Sequence, residues 1–511
     1  MKHFYLTTAI DYANGKPHMG HAYEKILADV IARYQRLCGQ KVHFLTGLDE
    51  HGQKVQQTAE KEGITPQQLC DHVILDFKNM CDLLHISYND YIRTTERRHR
   101  AVVRDVLQKL FEKGDIYLSE YRGFYCPRLE QFLQKKDKVK GRWPEELGEI
   151  IEISESNYFF RLSSYRPWLI SYIEEHPNFI FPRFRARQVL EFLKTEVNDL
   201  CISRPQERLA WGIPLPFDER YVTYVWFDAL LNYVSAIGYG EERFEDYWPA
   251  NFHIIGKDIL TPAHAVYWPC MLKAMGLEMP KTLLVHGWWL ASGEKMSKSV
   301  GNVIRPLDYV RHYGADAFRY FVMREMMIGQ DCDFSHERFV ARYNGDLGND
   351  LGNLVSRLLH MLQRYSHRII PQMELRETEE RVLQQQWQDI SQKVSKFYRE
   401  LAIPMALESL WEMVRSLNRF AEIRAPWQLA KSSDGRDKKK LETTLAIMAE
   451  GLRLVATALQ PVMPKVSQFI CYALGVSLAE DSDLSQDLVW SHRLVGHRVE
   501  GPMVLFPRVK M

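Results

Sequence analysis

The stretch that decides the fold reads FYLTT at residues 4–8, HMGH at 18–21 and VHFLT at 42–46. The first and last segments are rich in β-branched and aromatic residues, which favour strands. Between them, after a turn rich in Gly and Pro, apolar residues recur at the spacing of an amphipathic helix, and Gly39 is placed to end that helix. A strand, a turn, a helix and a second strand at this spacing predict a right-handed parallel crossover. We therefore expect an α/β layer at the N-terminus.

Further along the chain the pattern changes twice. Residues 114–182 are aromatic and charged and show no strong helical period, so we expect an insertion there. Strands are predicted again where three segments run into Gly or Asp, the position at which an open α/β sheet places its ligands; they are 221–227, 253–255 and 282–286. From Ser335 onward long helical periods predict a helix bundle, with helices at 347–365, 379–401, 405–423 and 440–459.

Composition narrows the class of protein. The chain has 511 residues, 46% of them hydrophobic and 26% charged, with a net charge of +1. This balance excludes a disordered or fibrous chain and a binder of nucleic acid that acts by bulk positive charge. No apolar run is long enough for a membrane helix, and Asp11 comes too early for a signal peptide, so we expect no membrane association and a cytoplasmic location. The eight cysteines have no CxxC spacing, which favours reduced thiols.

The motif His18-Met-Gly-His21 stands at the start of the first predicted helix. A helix N-terminus attracts phosphate through its free N–H groups and its dipole, and Gly20 lets a flat ring approach the backbone. The two imidazoles could donate hydrogen bonds to phosphate oxygens as charge develops. The alternative is a pair of surface histidines near a helix start.

A second motif, Lys295-Met-Ser-Lys298-Ser299, combines two lysines with two hydroxyls between flanking glycines. Such a loop can close on a polyphosphate and stabilise a leaving pyrophosphate. The alternative is a solvated basic loop. The chain has no GxxxxGK[ST] loop, no GxGxxG after a strand and no HExxH, so a nucleotide site must use another device. The occurrence of both motifs in this order on one α/β scaffold favours the functional interpretation.

Together HMGH and KMSKS resemble the double signature of class I aminoacyl-tRNA synthetases. The surrounding stretches resemble the methionyl-tRNA synthetase family as far as at least Trp427: TAIDYANG at 8–15, YVWFDA at 224–229, IGKDI at 255–259 and HGW at 286–288. The resemblance implies a Rossmann-like α/β catalytic domain and an all-α anticodon-binding domain. It also implies a ligase that uses ATP with Mg²⁺ to make methionyl-adenylate and passes methionine to the 3′ end of tRNA(Met), for initiation and elongation.

The resemblance assigns roles residue by residue. Catalysis falls to His18, His21, Lys295 and Lys298, and the ATP site adds Asn14, Gly20, Glu24 and Gly256. The methionine pocket is implied to consist of Ala9, Ile10, Tyr12, Trp226, Ala229, Tyr233, Ile259 and His264, with Asp49 and Asp258 facing the amino group. A thioether packs favourably on aromatic rings, which suits Trp226 and Tyr233. Without the surrounding motif both would be taken as ordinary core residues.

Two departures from the family pattern stand out. The spacing between Ile259 and His264 is one residue longer than we expect, which leaves the placement of His264 open. Many relatives carry a zinc knuckle with two pairs of ligands in the insertion. Here Cys126 is followed by Leu129 at the second ligand position, and Trp143-Pro-Glu-Glu146 replaces the second pair. One thiolate cannot form a tetrahedral site, so we expect no structural zinc and an insertion held by aromatic packing.

The helical region contains the residues that in family members read the anticodon: Asn353, Arg357, Pro426 and Trp427. Asn353 and Arg357 are four apart and so share a helix face, and an exposed indole could stack on a base. The alternative is a capping asparagine, a solvated arginine and a core tryptophan. The chain shows no further module of the kind that dimerises some relatives, so we expect a monomer.

We therefore expect five regions. These are the first half of the catalytic domain at 1–113, the connective insertion at 114–200, the second catalytic half at 201–299, a stem-contact region at 300–345 and the anticodon-binding domain at 346–511. Three alternatives stay open: a synthetase for isoleucine, valine, leucine or cysteine, a silent paralogue that binds tRNA or a protein, and a smaller nucleotidyltransferase that shares only the first motif. The short insertion, the missing thiolate set and the intact motifs argue against them.

Overall fold

The structure is a computed structural model. It describes residues 2–126, 131–133, 138, 142–195, 197–296, 303–374, 377–478 and 487–509. The chain forms two compact units. The first consists of Met1–Pro17, His43–Asn79 and Tyr88–Val285, and the second consists of His18–Val42, Met80–Ser87 and His286–Met511.

The main sheet of the first unit has seven strands among the described residues. The order across it is Asp11–Tyr12, Val42–Asp49, Phe4–Thr8, Phe252–Gly256, Leu283–His286 and Ile180–Phe181, with Asp90–Arg93 also paired to Val42–Asp49. Phe4–Thr8 runs parallel to Phe252–Gly256, with Leu6 opposite Phe252, and Val42–Asp49 runs parallel to Asp90–Arg93, with Gly47 opposite Ile92. The predicted strands 4–8, 42–46, 253–255 and 282–286 are confirmed, and the second continues to Asp49.

Gly47 is required where it stands in this sheet. A Cβ at that position would lie 2.2 Å from the carbonyl oxygen of Ile92 and 2.9 Å from Cγ2 of Ile10. No real Cβ tolerates a backbone oxygen at that distance. The missing side chain therefore lets Ile10 and Ile92 close over the strand that ends at Asp49.

Helices of the first unit surround a core that includes Leu107, Phe227, Tyr233, Trp268 and Val285. Burial of such side chains supplies about 1.5–3 kcal/mol each. The helices are Gln53–Glu62, Pro66–Leu83, Arg97–Glu112, Leu162–Glu175, Arg183–Lys194, Val225–Ala229, Asn232–Ser235 and Trp268–Met275, with short 3₁₀ turns at Glu145–Leu147 and Glu242–Asp246 and a π-type segment at Leu260–Tyr267.

The insertion contains an antiparallel sheet. Its long strands Ile116–Cys126 and Ile151–Phe160 pair along most of their length, and Gln131–Leu133 and Leu200–Cys201 flank them. Within 114–182, where the sequence shows no strong helical period, Leu162–Glu175 is nevertheless helical around Pro167. The buried residues Leu162, Leu169 and Ile173 keep the helical spacing, but aromatic residues on other faces hide it in the sequence.

The predicted strand 221–227 is only half correct. The strand is Asp218–Thr223, and it pairs antiparallel with Ser203–Pro205 and Pro214–Leu215 in a separate small sheet. Val225–Ala229 is a helix. The run of aromatic and β-branched residues favours a strand locally, but tertiary packing overrides that preference.

The second unit is mainly helical. Met19–Leu37, called the signature helix below, belongs to it. The four predicted helices are confirmed as Asn353–Tyr365 after a π-type turn Tyr343–Gly352, Thr378–Arg399, Ile403–Arg424 and Gly435–Leu459. The other helices are Pro306–Tyr313, Ala315–Glu325, His336–Arg342, Pro426–Leu429 and Pro464–Ala473, and the strands are Trp289–Ala291, Glu294–Lys295 and Cys332–Phe334.

A buried ion pair holds the signature helix within this unit. Arg319 is fully buried, and its Nη2 lies 2.7 Å from Oδ2 of Asp29. The same guanidinium donates to the carbonyl oxygens of Leu84, Pro461 and Val462 at 3.0, 2.9 and 2.8 Å. Every polar group of a buried ion pair needs such partners. In the part of the chain that the structure describes, no helix is long and apolar enough to cross a membrane.

Candidate active site

The HMGH motif forms a reciprocal cap at the start of the signature helix. Nδ1 of His18 accepts a hydrogen bond from the backbone N–H of Gly20 at 3.1 Å, and Nδ1 of His21 accepts one from the backbone N–H of His18 at 3.2 Å. The two rings stack, with centroids 3.7 Å apart. This is a capping box in which imidazoles replace the usual hydroxyl and carboxyl groups.

The cap determines which ring nitrogen carries the hydrogen. A neutral imidazole has one N–H, and in both rings Nδ1 is the acceptor, so Nε2 is the donor. Burial, followed by the nearby charges of His18 and Lys25, lowers the pKa of His21 well below its usual range. The motif thus presents hydrogen-bond donors at a helix N-terminus, as the phosphate interpretation requires.

Glu24 lies in the next turn of the same helix and is buried between Lys25 and His286. Its Oε1 accepts from Nζ of Lys25 at 3.0 Å, and its Oε2 accepts from Nε2 of His286 at 3.1 Å. Burial alone would raise the pKa of Glu24, but Lys25 and His286 lower it below its ordinary value. The predicted nucleotide-side carboxylate is therefore held as an anion in a defined orientation.

The first unit brings together three residues predicted for the methionine pocket. The hydroxyl of Tyr233 lies 2.8 Å from Nε2 of His264, and the rings of Trp226 and His264 meet edge to face at 6.0 Å. The backbone oxygen of Ile259 accepts from Nδ1 of His264 at 2.9 Å. Because Nδ1 donates there, Nε2 of a neutral His264 accepts from the Tyr233 hydroxyl. Ala229 follows Trp226 on the same helix and is buried.

The segment that carries His264 is irregular. Leu260–Tyr267 is a π-type segment with Thr261 out of helical conformation, and such a segment takes up more residues per turn than an α-helix. His264 lies after this kink, within hydrogen-bond distance of Tyr233. Its membership of the cluster, which the sequence left open, is a structural fact.

The other residues predicted for the site lie at or near the ends of strands of the main sheet. Ala9 follows Phe4–Thr8, Tyr12 pairs with Asp49 across two strands, and Gly256 ends Phe252–Gly256. Asp49 is buried and its backbone oxygen accepts from the N–H of Ala13 at 2.9 Å. The two carboxylates predicted for the amino group differ, because Asp49 is 8% exposed whereas Asp258 lies on the surface. Asn14 is exposed in the turn before the signature helix.

The KMSKS loop begins at a hairpin in the second unit. Glu294–Lys295 pairs with Trp289–Ala291 across a turn at Ser292 and Gly293, both at positive φ. Gly293 is suited to this conformation, and its N–H donates to Oδ1 of Asp333 at 2.9 Å. Ser297, Lys298 and Ser299 lie outside the described residues.

The predicted anticodon residues occur in the helical part of the second unit. Asn353 begins the helix Asn353–Tyr365 and is exposed, and Arg357 follows one turn later on that helix. The guanidinium of Arg357 lies 5.7 Å from the ring centroid of Trp427. Trp427 is 38% exposed, which is high for so large a ring and contradicts the alternative of a core tryptophan. Pro426 starts a short helix after Ala425, which has φ +42.

Comparison with known proteins identifies the family. The family model described as class I tRNA synthetases (M) matches residues 4–152 and 147–359. A methionine–tRNA ligase of Brucella suis is 42% identical over 511 residues, which cover 99% of this chain and 98% of that protein. The chain belongs to the methionine–tRNA ligase family. A methionine–tRNA ligase of Caldanaerobacter subterraneus subsp. tengcongensis is 40% identical over 511 residues, with 99% of this chain and 79% of that protein covered.

Solved structures agree with this family membership. Mycobacterium tuberculosis methionyl-tRNA synthetase in complex with methionyl-adenylate has a TM-score of 0.93 to this chain at 38% identity, and the match covers 99% of this chain and 100% of that one. The predicted α/β fold with a helical C-terminal part is confirmed. The methionine–tRNA ligase family also decides against the isoleucine, valine, leucine and cysteine alternatives.

The predicted zinc-less knuckle lies in the insertion and contains one cysteine, Cys126. Sγ of Cys126 lies 3.2 Å from the carbonyl oxygen of Leu147, as a thiol donor. Within the described ranges no group of three or more His, Cys, Asp or Glu side chains could hold a metal ion. Leu129 lies outside those ranges, so the absence of zinc stays a prediction. The rings of Phe124 and Trp143 meet at 5.1 Å, in line with aromatic packing of the insertion.

Two groups of site residues were missed by the sequence reasoning. His286 orients Glu24, and the HGW motif at the end of a predicted strand was the available signal. The second group is Asp228 with His51 and His99, which bind both of its oxygens. Asp228 lies within the YVWFDA stretch and His51 directly follows the strand that carries Asp49, but His99 has no local signal.

His253 is buried against Tyr233 and is held in its neutral form by its hydrogen bonds. It stacks on Tyr233 at 4.3 Å, its Nε2 accepts from Nε1 of Trp268 at 3.2 Å, and its Nδ1 donates to Oγ1 of Thr7 at 2.8 Å. Protonation would set two N–H groups against each other. Burial, and secondarily His264, lowers the pKa of His253 well below 6.5.

Because the pKa of His253 is lower in the folded protein, the unfolded chain binds more protons below about pH 6.5. The free energy of unfolding therefore decreases as the pH is lowered through this range, by up to roughly 1.4 kcal/mol per pH unit. We expect the denaturant midpoint of the wild type to fall between about pH 7.5 and 5.5, and His253→Gln to lose part of that fall. His312→Gln, at an exposed position, is the control and should match the wild type. The same fall in the wild type and in His253→Gln would contradict the assignment.

Proposed function

We propose that this protein is an ATP-dependent methionine–tRNA ligase that works in two steps. In the first, a carboxylate oxygen of methionine attacks the α-phosphate of ATP, and the bond to pyrophosphate breaks to leave methionyl-adenylate. In the second, a hydroxyl of the terminal ribose of tRNA(Met) takes the methionyl group and AMP leaves. The product serves initiation and elongation of translation.

The observation that carries this proposal is the HMGH capping box. Adenylate formation needs positioning and stabilisation of charge on phosphate oxygens more than it needs a general base. His18 and His21 supply this without a change of protonation, since the cap directs Nδ1 of each ring to the backbone and leaves Nε2 as donor. Gly20, which lies between them, allows close approach to the backbone, and the helix dipole also favours a phosphate at this end of the helix. Glu24 and Asn14 complete our proposed nucleotide side, with Gly256 from the end of its strand.

The departing pyrophosphate carries several negative charges. We assign its neutralisation to Lys298 and, in a lesser role, to Lys295, by the KMSKS motif. Magnesium prefers phosphate oxygens and water, supplemented by one or two carboxylates, so ATP itself would bring most of its ligands.

Selection of methionine rests on the aromatic cluster of the first unit. Trp226, Tyr233 and His264 are locked by mutual contacts and can pack on a thioether, which is polarisable and favours ring edges. Ala9, Ile10, Tyr12, Ala229 and Ile259 add apolar surface. Asp49, buried at a strand end, is our choice for the ammonium group, whereas the exposed Asp258 is poorly placed for strong electrostatic binding.

We assign tRNA recognition to the helical region. Single-stranded bases are read by stacking and by hydrogen bonds to their edges. Trp427 offers a half-exposed indole, Arg357 is held beside it, and Asn353 supplies an amide one turn away. We assign catalysis to residues 1–113 and 201–299, with the connective insertion at 114–200. We assign contact with the tRNA stem to residues 300–345 and reading of the anticodon to residues 346–511. We propose that the protein acts as a cytoplasmic monomer.

The direct test is amino-acid-dependent exchange of pyrophosphate into ATP. We expect exchange with methionine and none above background with leucine or isoleucine, because the rigid aromatic cluster fits an unbranched thioether. Exchange that responds to leucine or isoleucine, or no exchange with any of the three, would overturn the proposal.

Trp427→Ala tests the anticodon assignment separately. Stacking of one base on an aromatic ring contributes about 1–3 kcal/mol. We therefore expect kcat/KM for charging of tRNA(Met) to fall about tenfold or more, while methionine-dependent exchange without tRNA stays at the wild-type rate. Tyr472→Ala removes another exposed ring of the second unit and should change neither rate. Equal charging by Trp427→Ala and Tyr472→Ala would contradict the assignment.

A further inference from the structure

Asp228 is a buried carboxylate between two buried histidines in the first unit. Its Oδ2 lies 2.6 Å from Nδ1 of His51, and its Oδ1 lies 2.7 Å from Nε2 of His99. The side chains of Asp228 and His99 are fully buried, and that of His51 is 5% exposed. None of the three residues has a role in the two-step reaction as derived above.

The hydrogen bonds of the group continue past His99. Nδ1 of His99 lies 2.8 Å from Oγ of Ser235, and that hydroxyl lies 3.3 Å from the carbonyl oxygen of Asn232. Asn232 in turn donates through Nδ2 to the carbonyl oxygen of Ala229 at 2.7 Å. Each carboxylate oxygen of Asp228 thus has an N–H donor from a different part of the chain, and the outer ring nitrogen of His99 is also satisfied.

The connections join the segments that carry the proposed methionine pocket. Asp228 lies on the helix Val225–Ala229 between Trp226 and Ala229. His51 comes two residues after Asp49, and Ser235 two residues after Tyr233. His99 is on the helix Arg97–Glu112, which supplies no proposed pocket residue. The carboxylate therefore links its own short helix to the strand end through His51 and, through His99, to the short helix Asn232–Ser235.

Apolar packing of Phe227 and Tyr233 in the core holds these elements as well, but it is less directional than the hydrogen bonds of a buried carboxylate. Val225–Ala229 and Asn232–Ser235 contain five and four residues, too short to be stable by their own hydrogen bonds. The ring of His51 also contacts Trp211 at 5.5 Å. Burial alone would raise the pKa of Asp228, but the charge of His51 and hydrogen bonds from both histidines lower it to about 2, so the anchor stays ionised in solution near neutral pH.

We propose that Asp228, bound between His51 and His99, is a positioning residue that sets the shape of the methionine pocket by holding Trp226 and Ala229 against the strand end at Asp49. The inference rests on the proposed function. It assigns these three residues to methionine binding and not to the binding of ATP.

Asp228→Asn is the first test. The amide keeps one acceptor oxygen and presents an N–H group to the second histidine, so the two histidines can no longer both donate to residue 228 and one of them must change its tautomer. We expect the KM for methionine in pyrophosphate exchange to rise about tenfold or more, because small misplacements of positioning groups have large effects. The KM for ATP should stay within about twofold of wild type. Asp218→Asn, which removes a carboxylate paired with Arg220 on the strand Asp218–Thr223, is the control and should leave both constants unchanged.

Two matched pairs of variants, one pair at His51 and one at His99, distinguish a role in positioning the pocket from a role in folding. His51→Asn keeps a donor near Nδ1 and His99→Gln keeps one near Nε2, whereas His51→Leu and His99→Leu keep the volume without a donor. We expect the amide variants to retain a methionine KM within about threefold of wild type and the leucine variants to match Asp228→Asn. These variants also give the answer if Asp228→Asn does not fold.

The outcomes distinguish the inference from the function on which it rests. Absence of methionine-dependent exchange in the wild type would overturn the function. With the wild type active, an unchanged methionine KM in Asp228→Asn or His51→Leu would overturn the positioning role. A loss of thermal stability with both KM values unchanged, or with both raised equally, would identify the group as purely structural and would also overturn it.

Discussion

A buried carboxylate that stays ionised must have a donor for each oxygen, and in this protein that requirement organises the first unit around Asp228. Its donors, His51 and His99, come from a strand end and from a separate helix. An unpaired charge at this depth would cost several kcal/mol. The short helices that carry Trp226 and Tyr233 are therefore held where the carboxylate finds its partners. The apolar pocket depends on a polar anchor behind it.

The second unit meets a similar constraint at the start of the signature helix. The first N–H groups of any helix lack internal partners, and here imidazole nitrogens accept from two backbone N–H groups of the motif. The same hydrogen bonds that stabilise the helix start set the tautomers of His18 and His21. In the function that we propose, this one arrangement both stabilises the helix start and recognises phosphate. Further along that helix, Asp29 meets Arg319, whose guanidinium reaches the carbonyl oxygens that follow Gly435–Leu459.

Sequence periodicity predicted the helices and strands in which the local preference of the residues matches the structure that they adopt in the fold. The strands Phe4–Thr8 and Phe252–Gly256 and the long bundle helices belong to this group. The helices Leu162–Glu175 and Val225–Ala229 were missed, because aromatic and β-branched residues favour strands locally while packing decides otherwise.

For the site, short motifs pointed to His18, His21 and the Trp226 segment. His99 could not be found in this way, because its role arises from a contact with a residue 129 positions away. His286 is similar, since its partner Glu24 is 262 positions away. Asp49 is buried and Asp258 is exposed, and this difference also depends on the complete fold. Contacts over such separations have no periodic signature, so local sequence carries little information about them.

The central claim is that His51 and His99 support methionine binding through one shared carboxylate. A double-mutant cycle with His51→Leu and His99→Leu, read as the methionine dissociation constant, tests it most directly. The account predicts strong non-additivity, with a coupling energy on the order of 1 kcal/mol or more and a double variant about as weak as either single variant. Additive losses would show that the histidines act independently and would contradict the account.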